Sequence, residues 1–527
     1  MESWCPYTTM EQPKLSKQQR RDMNRLKKRK LGDNAAVSDA VDSVASKKAR
    51  TAGTSVYKRA VTLPPSEYVH PKVPRDRFIY PSDKSIYRDL LDRCYDGFLV
   101  DGSQAYCEEF HNKFKSALLK MDSDNLFQYD FTQPAGLNTL VKKTLVTRCL
   151  VGDCGITYKY LGIRMFSHPW NDEGSPVCKD IKTLNDQMVD RTSVLLKESK
   201  RSEYGSCNYN LTLINKCFAA ETGCHKKDPM FSKDKLSVSW HADSSLEHFS
   251  SIGVYHFVVG GNESRDESWK IALRVQHYSE GPSHGKKTAG DSISCTVPPI
   301  AIPLPSRSSY YLLDDFNHHH QHAVIEGNFE RYASTHRVSR TDGHSYQYIL
   351  NKCRSVVQDY ISASPKHIRG VHLAYSELEF EWIRQFYVQG SLHFKLHPWW
   401  TSRMDLLVDL WLELQSLYMR QMEYLSLAAV APPDISLMID RKERKKMRKS
   451  IKKISVVTAE SYDEIIIGLS DIVEKRNGWH AREAELDTLS DDLRPMKLPK
   501  QPQELVEIEG FIRVMERART AFSFRHK

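Results

Sequence analysis

The sequence predicts an α+β protein: a β-sandwich or jelly roll with flanking helices over residues 71–342, followed by an all-α helical domain over 343–527. Three features carry that expectation. Short alternating or apolar runs, punctuated by Gly, Pro, Ser and Asn, fill the middle of the chain. After about residue 345 apolar residues recur every three or four positions. The first 70 residues are polar and basic, with few large apolar side chains.

Residues 1–70 read as a disordered tail, because such a composition buries too little surface to offset the entropy of ordering. Its first 60 residues hold 14 Lys/Arg against 6 Asp/Glu, most of the net charge of +10. The clusters at Arg25–Lys30 and Lys47–Arg50 have the spacing of a bipartite nuclear import signal, so a nuclear protein, with or without shuttling to the cytoplasm, is expected. A solvated tail that brushes RNA is the alternative.

The middle region contains "RFIY", "NLTLIN", "LSVSWHAD", "SIGVYHFVV", "WKIALRVQHY", "YYLLDDF" and "QHAVI", each read as a strand. Residues 86–122 and 179–200 read as helical, and 217–236 and 260–268 as loops long enough to be functional. The last third carries "SYQYILNKCRSVVQDYI", "SELEFEWIRQFYVQG", "RMDLLVDLWLELQSLYMRQMEYLSLA" and "SYDEIIIGLSDIVEKRNGWHAREAEL", enough for four to six helices. The basic run Arg441–Lys453 reads as a solvated helix face, with nucleic-acid contact as the alternative.

A chain of 527 residues with 40% hydrophobic content can bury substantial cores. No apolar run reaches the roughly 18 residues of a membrane span, so no membrane partner is expected. Eleven scattered cysteines without a CxxC pair argue for reduced thiols inside a cell rather than a disulfide scaffold or zinc ribbon.

"SVSWHADSS" (237–245) raises the possibility of a metal site. Residues i and i+2 of a strand project to one face, so His241 and Asp243 can reach one ion. An imidazole and a carboxylate are two thirds of the facial triad of non-haem Fe(II). Of 21 histidines, His241 alone has an acidic residue two positions on. The distal histidine is sought in "HHHQH" (318–322), where His318, His320 and His322 would share a strand face. Just beyond, Arg331 and Arg337 stand six apart, an even spacing that aims both inward; such guanidinium forks suit a dicarboxylate.

HxD, a distal His and then R-x5-R is similar to the signature of iron- and 2-oxoglutarate-dependent dioxygenases. Together with "TYKYLGIRMFSHPW" (157–170), "LTLIN" (211–215), "YYLLDDFNHHHQHAV" (310–324), "RYASTHRV" (331–338), "EFEWIRQFYVQG" (378–389) and "WHAREAE" (479–485), it resembles an AlkB-related family of RNA demethylases with a C-terminal helical domain that bacterial AlkB proteins lack. The likeness spans roughly 75–490. It implies a double-stranded β-helix catalytic domain, Fe(II), and 2-oxoglutarate and O2 as co-substrates. The reaction implied is oxidative demethylation of N6-methyladenine in single-stranded RNA, releasing formaldehyde, succinate and CO2.

The resemblance makes His241, Asp243 and His322 the catalytic iron ligands, with His320 the fallback for the last. It assigns Asn215, Tyr310, Arg331, Thr335 and Arg337 to 2-oxoglutarate, and Arg148, Tyr158, Tyr160, Leu161, Ser244 and Ala333 to the substrate pocket. Tyr160 would stack on an unstacked base while Arg148 bonds its edge. Two positions depart from the family pattern: Ser244 stands where an acidic residue is usual, and Ala333 replaces a serine. The segment 216–236 falls where the family has a loop obstructing duplex entry, with Lys226, Lys227, Lys233 and Lys235 able to meet phosphates. The expected partner is therefore single-stranded methylated RNA, or single-stranded DNA. Repair of N1- or N3-alkylated bases, protein hydroxylation and a non-catalytic RNA-binding scaffold are the competing readings.

Overall fold

The computed structural model describes residues 77–132, 144–160, 163–201, 206–218, 226–227, 235–260, 269–276, 297–362, 368–390, 397–429, 442, 458–498 and 508–525. The basic tail with its two clusters, Leu161, Lys233, the 260–268 loop beyond Gly260 and the Arg441–Lys453 run apart from Lys442 lie outside the described residues.

Two antiparallel sheets make the jelly roll. In the major sheet the main path runs Phe98–Asp101, Ser309–Leu312, Ile252–Val258, Arg331–Arg337, Leu211–Cys217, Thr144–Gly152 and Gln128–Thr132. The minor sheet is ordered Ile300–Pro303, Lys270–Val275, His320–Ile325, Lys235–His241 and Lys226–Lys227. Their facing surfaces form one core, in which Ile252, Val254 and Leu312 of the major sheet meet Ile271, Leu273 and Ile302 of the minor. Each such side chain fully buried contributes roughly 1.5–3 kcal/mol.

The outer face of the major sheet is covered by two helices. Phe110, Phe114, Leu118 and Met121 line one side of Glu108–Ser123, and Val177, Ile181, Leu184 and Met188 line one side of Val177–Glu198. These three- and four-residue spacings place one apolar stripe on each helix, against Ile214, Tyr255 and Tyr332 of the sheet. The predicted helix 179–200 is therefore present. The predicted 86–122 is not continuous: helix Lys84–Cys94 ends before Gly97, whose φ is +96°, and Phe98–Asp101 joins the sheet edge. "RFIY" makes only a single bridge, Ile79 to Ile300.

The helical domain begins at Tyr346, and among the described residues it has five helical stretches around one apolar core. Within Ile368–Gln389 the segment Leu378–Ile383 is π-helical and carries Glu379, fully buried between Arg384 (3.0 Å) and Arg476 (2.9 Å). A buried carboxylate needs such compensation. No helix is long and apolar enough to cross a membrane among the described residues.

A hairpin of Thr157–Tyr160 and Ile163–Phe166 joins the two domains. Strand alternation gives it two faces. Tyr158, Tyr160 and Met165 pack toward Leu150 and Leu213 of the major sheet. On the other face Phe166 sinks among Trp382, Phe386 and Trp400 of the helical core, while Lys159 and Arg164 pair with Glu381 at 2.8 and 3.0 Å.

Candidate active site

Cross-strand register decides what faces the space between the sheets. Residues directly opposite in an antiparallel pair point to the same side. One row runs Gln128, Arg148, Asn215, Ala333, His256. The next runs Leu150, Leu213, Thr335, Val254, Tyr310. Arg331 and Arg337 lie on the same strand as Ala333 and Thr335, at even spacing, so they share that face. Across the gap, His322 is paired directly with His241.

His241, Asp243 and His322 converge. Their ligand-type atoms all lie within 4.8 Å of one another, with His241 Nε2 3.7 Å from Asp243 Oδ1 and the two imidazole centroids 4.2 Å apart. The strand stops at His241, so Asp243 is placed by the loop that follows and not by strand alternation. Asn317 fixes that loop: the Asp243 amide donates to Asn317 Oδ1, and Asn317 Nδ2 donates to the Asp243 carbonyl, both at 2.9 Å. A register shift beyond His322, two residues against three, leaves an irregularity beside the trio. His241 Nδ1 donates to the Ser239 carbonyl at 2.8 Å, which leaves Nε2 as the ligand atom.

The structure separates the clustered histidines. His318 and His319 belong to a helical turn, Phe316–His319, so the expected common strand face starts only at His320. His320 turns both ring nitrogens to carbonyls, Nδ1 to Phe316 (3.0 Å) and Nε2 to Cys94 (2.8 Å), and stacks on Phe316. Only His322 of the cluster reaches His241 and Asp243. Burial, then the His241 imidazole, pushes His322 down to about 3, the neutral form a metal requires. Burial would raise the Asp243 carboxyl, but Arg337 and the two imidazoles hold it down at about 2.

The two arginines are not equivalent. Arg337 forks onto Asp243, Nε to Oδ2 at 2.8 Å and Nη2 to Oδ1 at 3.0 Å. Arg331 is buried, donates from Nε to His256 Nδ1 at 3.2 Å and lies 5.5 Å from the Trp269 ring centre, but has no carboxylate partner among the described residues. A buried guanidinium lacking an acidic partner is the complement a dicarboxylate would supply. Tyr310 faces the same space, near the Arg331 charge, its pKa pushed up to about 12 by burial. Asn215 and Thr335 face the same space.

Arg148 is almost fully buried, 5.4 Å from the Tyr160 ring centre and 3.5 Å from Asp130. Tyr158 lies under Arg337 at 4.9 Å. Ser244 is exposed beside Asp243, and Ala333 is buried between Asn215 and His256 in its row. Lys226 and Lys227 form a two-residue strand against Lys235 and Leu236. Sequence reasoning missed Asn317, His256, Asp130 and Trp269; none has a local pattern that marks it, since the contacts that give them their roles span 60 or more residues, apart from the 18 between Asp130 and Arg148.

Two facing sheets, a two-histidine-one-carboxylate trio between them and a buried arginine with no carboxylate partner among the described residues define the iron- and 2-oxoglutarate-dependent oxygenase class. Comparison with known proteins narrows the class. The profile of the FTO catalytic domain matches residues 85–340 and that of the FTO C-terminal domain matches 344–506, so the chain belongs to the FTO family. The alpha-ketoglutarate-dependent dioxygenase FTO of Xenopus laevis is 28% identical over 398 residues, 64% of this chain and 75% of its own. Two solved structures align at a TM-score of 0.28: a 2OG-Fe(II) oxygenase family oxidoreductase from Burkholderia pseudomallei (12% identity, 48% of this chain, 90% of that one) and a Trichoplax adhaerens prolyl hydroxylase in complex with a hypoxia inducible factor peptide fragment (10%, 48% and 86%). The chain is thus an alpha-ketoglutarate-dependent dioxygenase, whose cofactor is Fe(II) and whose co-substrates are 2-oxoglutarate and O2. The donor set in the cleft fits that requirement.

Proposed function

We propose that this dioxygenase removes the methyl group of N6-methyladenine in single-stranded RNA. The supporting observation is the grouping of two tyrosine rings with a guanidinium, Tyr158, Tyr160 and Arg148, beside the Arg337 that grips Asp243 of the metal trio. An unstacked base can lie against a tyrosine face while a guanidinium bonds its edge, and an extended strand lets a base swing out at little cost. His241, Asp243 and His322 would hold the metal, and Arg331, Tyr310, Asn215 and Thr335 the co-substrate. When bound, Fe(II) with 2-oxoglutarate and O2 supplies the oxidising power, and succinate, CO2 and formaldehyde leave.

The chain's own residues orient and enclose. Asn317 and Arg337 set the Asp243 carboxylate; His256 sets Arg331; the hairpin, anchored in the helical core by Phe166, carries Tyr158 and Tyr160 against the major sheet. Ser244 is a neutral hydroxyl at the rim, able to donate or accept toward an exocyclic amine. In this reading the basic tail directs the chain to the nucleus.

The test is nucleoside mass spectrometry after incubating the full chain with Fe(II), ascorbate, 2-oxoglutarate and oligonucleotides carrying N6-methyladenine or N3-methylthymine, as RNA and as single-stranded DNA. Loss of N6-methyladenine from RNA fastest is expected. Faster loss of the N3-methylated base would replace the proposal with repair of ring-alkylated bases.

A further inference from the structure

A second trio of ligand-type side chains meets at the seam between the two domains, well apart in sequence from His241, Asp243 and His322. His168 and Asp172 follow the hairpin strand Ile163–Phe166 of the jelly-roll domain, and His397 directly precedes helix Pro398–Ala429 of the helical domain. His397 Nδ1 is 2.9 Å from Asp172 Oδ1, and His168 Nδ1 is 3.6 Å from Asp172 Oδ2. The imidazoles are 5.4 Å apart and nearly perpendicular. All three potential ligand atoms lie within 4.8 Å of one another, the closeness also found in the cleft trio. Unlike exposed acidic clusters, these side chains are 1%, 8% and 5% exposed.

Hydrogen bonding within the cluster accounts for only part of it. Asp172 Oδ1 receives the Gly174 amide at 3.0 Å as well as His397. Asp172 Oδ2 is buried and has no hydrogen-bond donor among the described residues, and the His168 nitrogen facing it is beyond hydrogen-bond length. Two ligands of one tetrahedral ion, each about 2.0–2.2 Å from it, stand about 3.4 Å apart. The 3.6 Å gap is close to that separation.

The local backbone makes room for the rings. A Cβ at Gly174 would stand 2.8 Å from His397 Cε1 and 3.1 Å from Nδ1, so any larger residue would push that imidazole out of the cluster. One turn into the helix, Trp400 Nε1 donates to the Ser167 carbonyl at 3.1 Å, tying the helix start to the residue beside His168.

We propose that His168, Asp172 and His397 bind a divalent transition metal of the zinc type, separate from the catalytic iron, which fastens the helical domain to the jelly roll. Two imidazoles and a carboxylate are a borderline donor set suited to zinc, with water completing a tetrahedron. Because two ligands come from one domain and one from the other, bound metal would stabilise the docked arrangement by mass action.

The test uses the full chain carrying His241→Ala and His322→Ala, which removes the cleft trio. It is loaded with Zn2+, desalted and analysed by elemental mass spectrometry, with thermal melting measured alongside. One zinc per chain and a raised melting temperature are expected, together with intense visible absorption when Co2+ replaces Zn2+. Adding Asp172→Asn should remove the bound metal and the thermal response; His397→Gln serves if that chain does not fold. No retained zinc in the parent double variant, or zinc undiminished by the added substitution, would overturn the proposal.

Discussion

Arg337 grips Asp243 through both carboxylate oxygens, inside the cleft, at 2.8 and 3.0 Å. The same carboxylate faces His241 and His322, so guanidinium and metal draw on one anion. Arg337→Met would leave a buried carboxylate without its counter-charge, a loss of roughly 3–5 kcal/mol. The loss should be smaller in the presence of Mn(II), because the added cation takes over the compensation. Urea unfolding with and without Mn(II) checks this; an equal loss in both conditions would exclude a carboxylate shared by metal and arginine.

Arg331 has the opposite balance: it is buried, and no carboxylate among the described residues pairs with it. Removing it deletes charge-assisted bonds worth about 1.5–3 kcal/mol, which is a rise of roughly tenfold to a hundredfold in the 2-oxoglutarate concentration required. Succinate formation by Arg331→Gln as a function of 2-oxoglutarate measures it. An unchanged requirement would remove Arg331 from the co-substrate site.

Asp130 links the pocket to the helical domain. It lies 3.5 Å from Arg148 of the proposed pocket and is ion-paired with Arg482, on helix Ala459–Leu486. Arg482→Ala removes one cation from Asp130, so Arg148 should be drawn toward that carboxylate and away from the base it is proposed to contact. We expect a loss of about 1 kcal/mol in binding of the proposed RNA substrate, a roughly fivefold higher KM for it. Substrate-independent succinate release should be unaltered, and Arg482→Lys should restore part of the loss. A parallel fall in both reactions would mean general unfolding instead.

These relationships mark where the sequence stops being informative. His241, Asp243, Arg331 and Arg337 stand out because their signal is short-range: a spacing of two or six along one strand or its end. The helical period after residue 345 was legible for the same reason. His322 could not be separated from His320 by spacing alone, because the difference lies in the Cys94 carbonyl, 226 residues away, that occupies His320. Asp243 looked like a strand residue but is held by Asn317, 74 positions on. The break of 86–122 at Gly97 was hidden by helix-like residues on both sides, and the edge pairing of Phe98–Asp101 with Ser309–Leu312 overrode them.

His336 sets an acid limit on the fold. It sits on the outer face of the strand that carries Arg331 and Arg337, fully buried, its Nδ1 donating to Asn185 Oδ1 at 2.8 Å and its Nε2 accepting from the Ser334 hydroxyl at 3.1 Å. Burial, reinforced by Arg337, pushes its pKa from 6.5 down to about 3. The unfolded chain therefore takes up a proton near pH 6.5 that the folded chain refuses until about pH 3, so stability declines as pH falls through that window. Between pH 8 and pH 5 this one imidazole accounts for about 2 kcal/mol. His256 and His322, also pushed down chiefly by burial, act in the same direction, so the wild-type decline will be steeper than one group gives. His336→Gln removes the titrating group, and its pH 8-to-5 decline, measured by urea unfolding, should be smaller than that of the wild type by about the same 2 kcal/mol. Identical pH profiles for the two chains would mean that His336 is protonated inside the fold, with a hydrogen-bond network different from the one described.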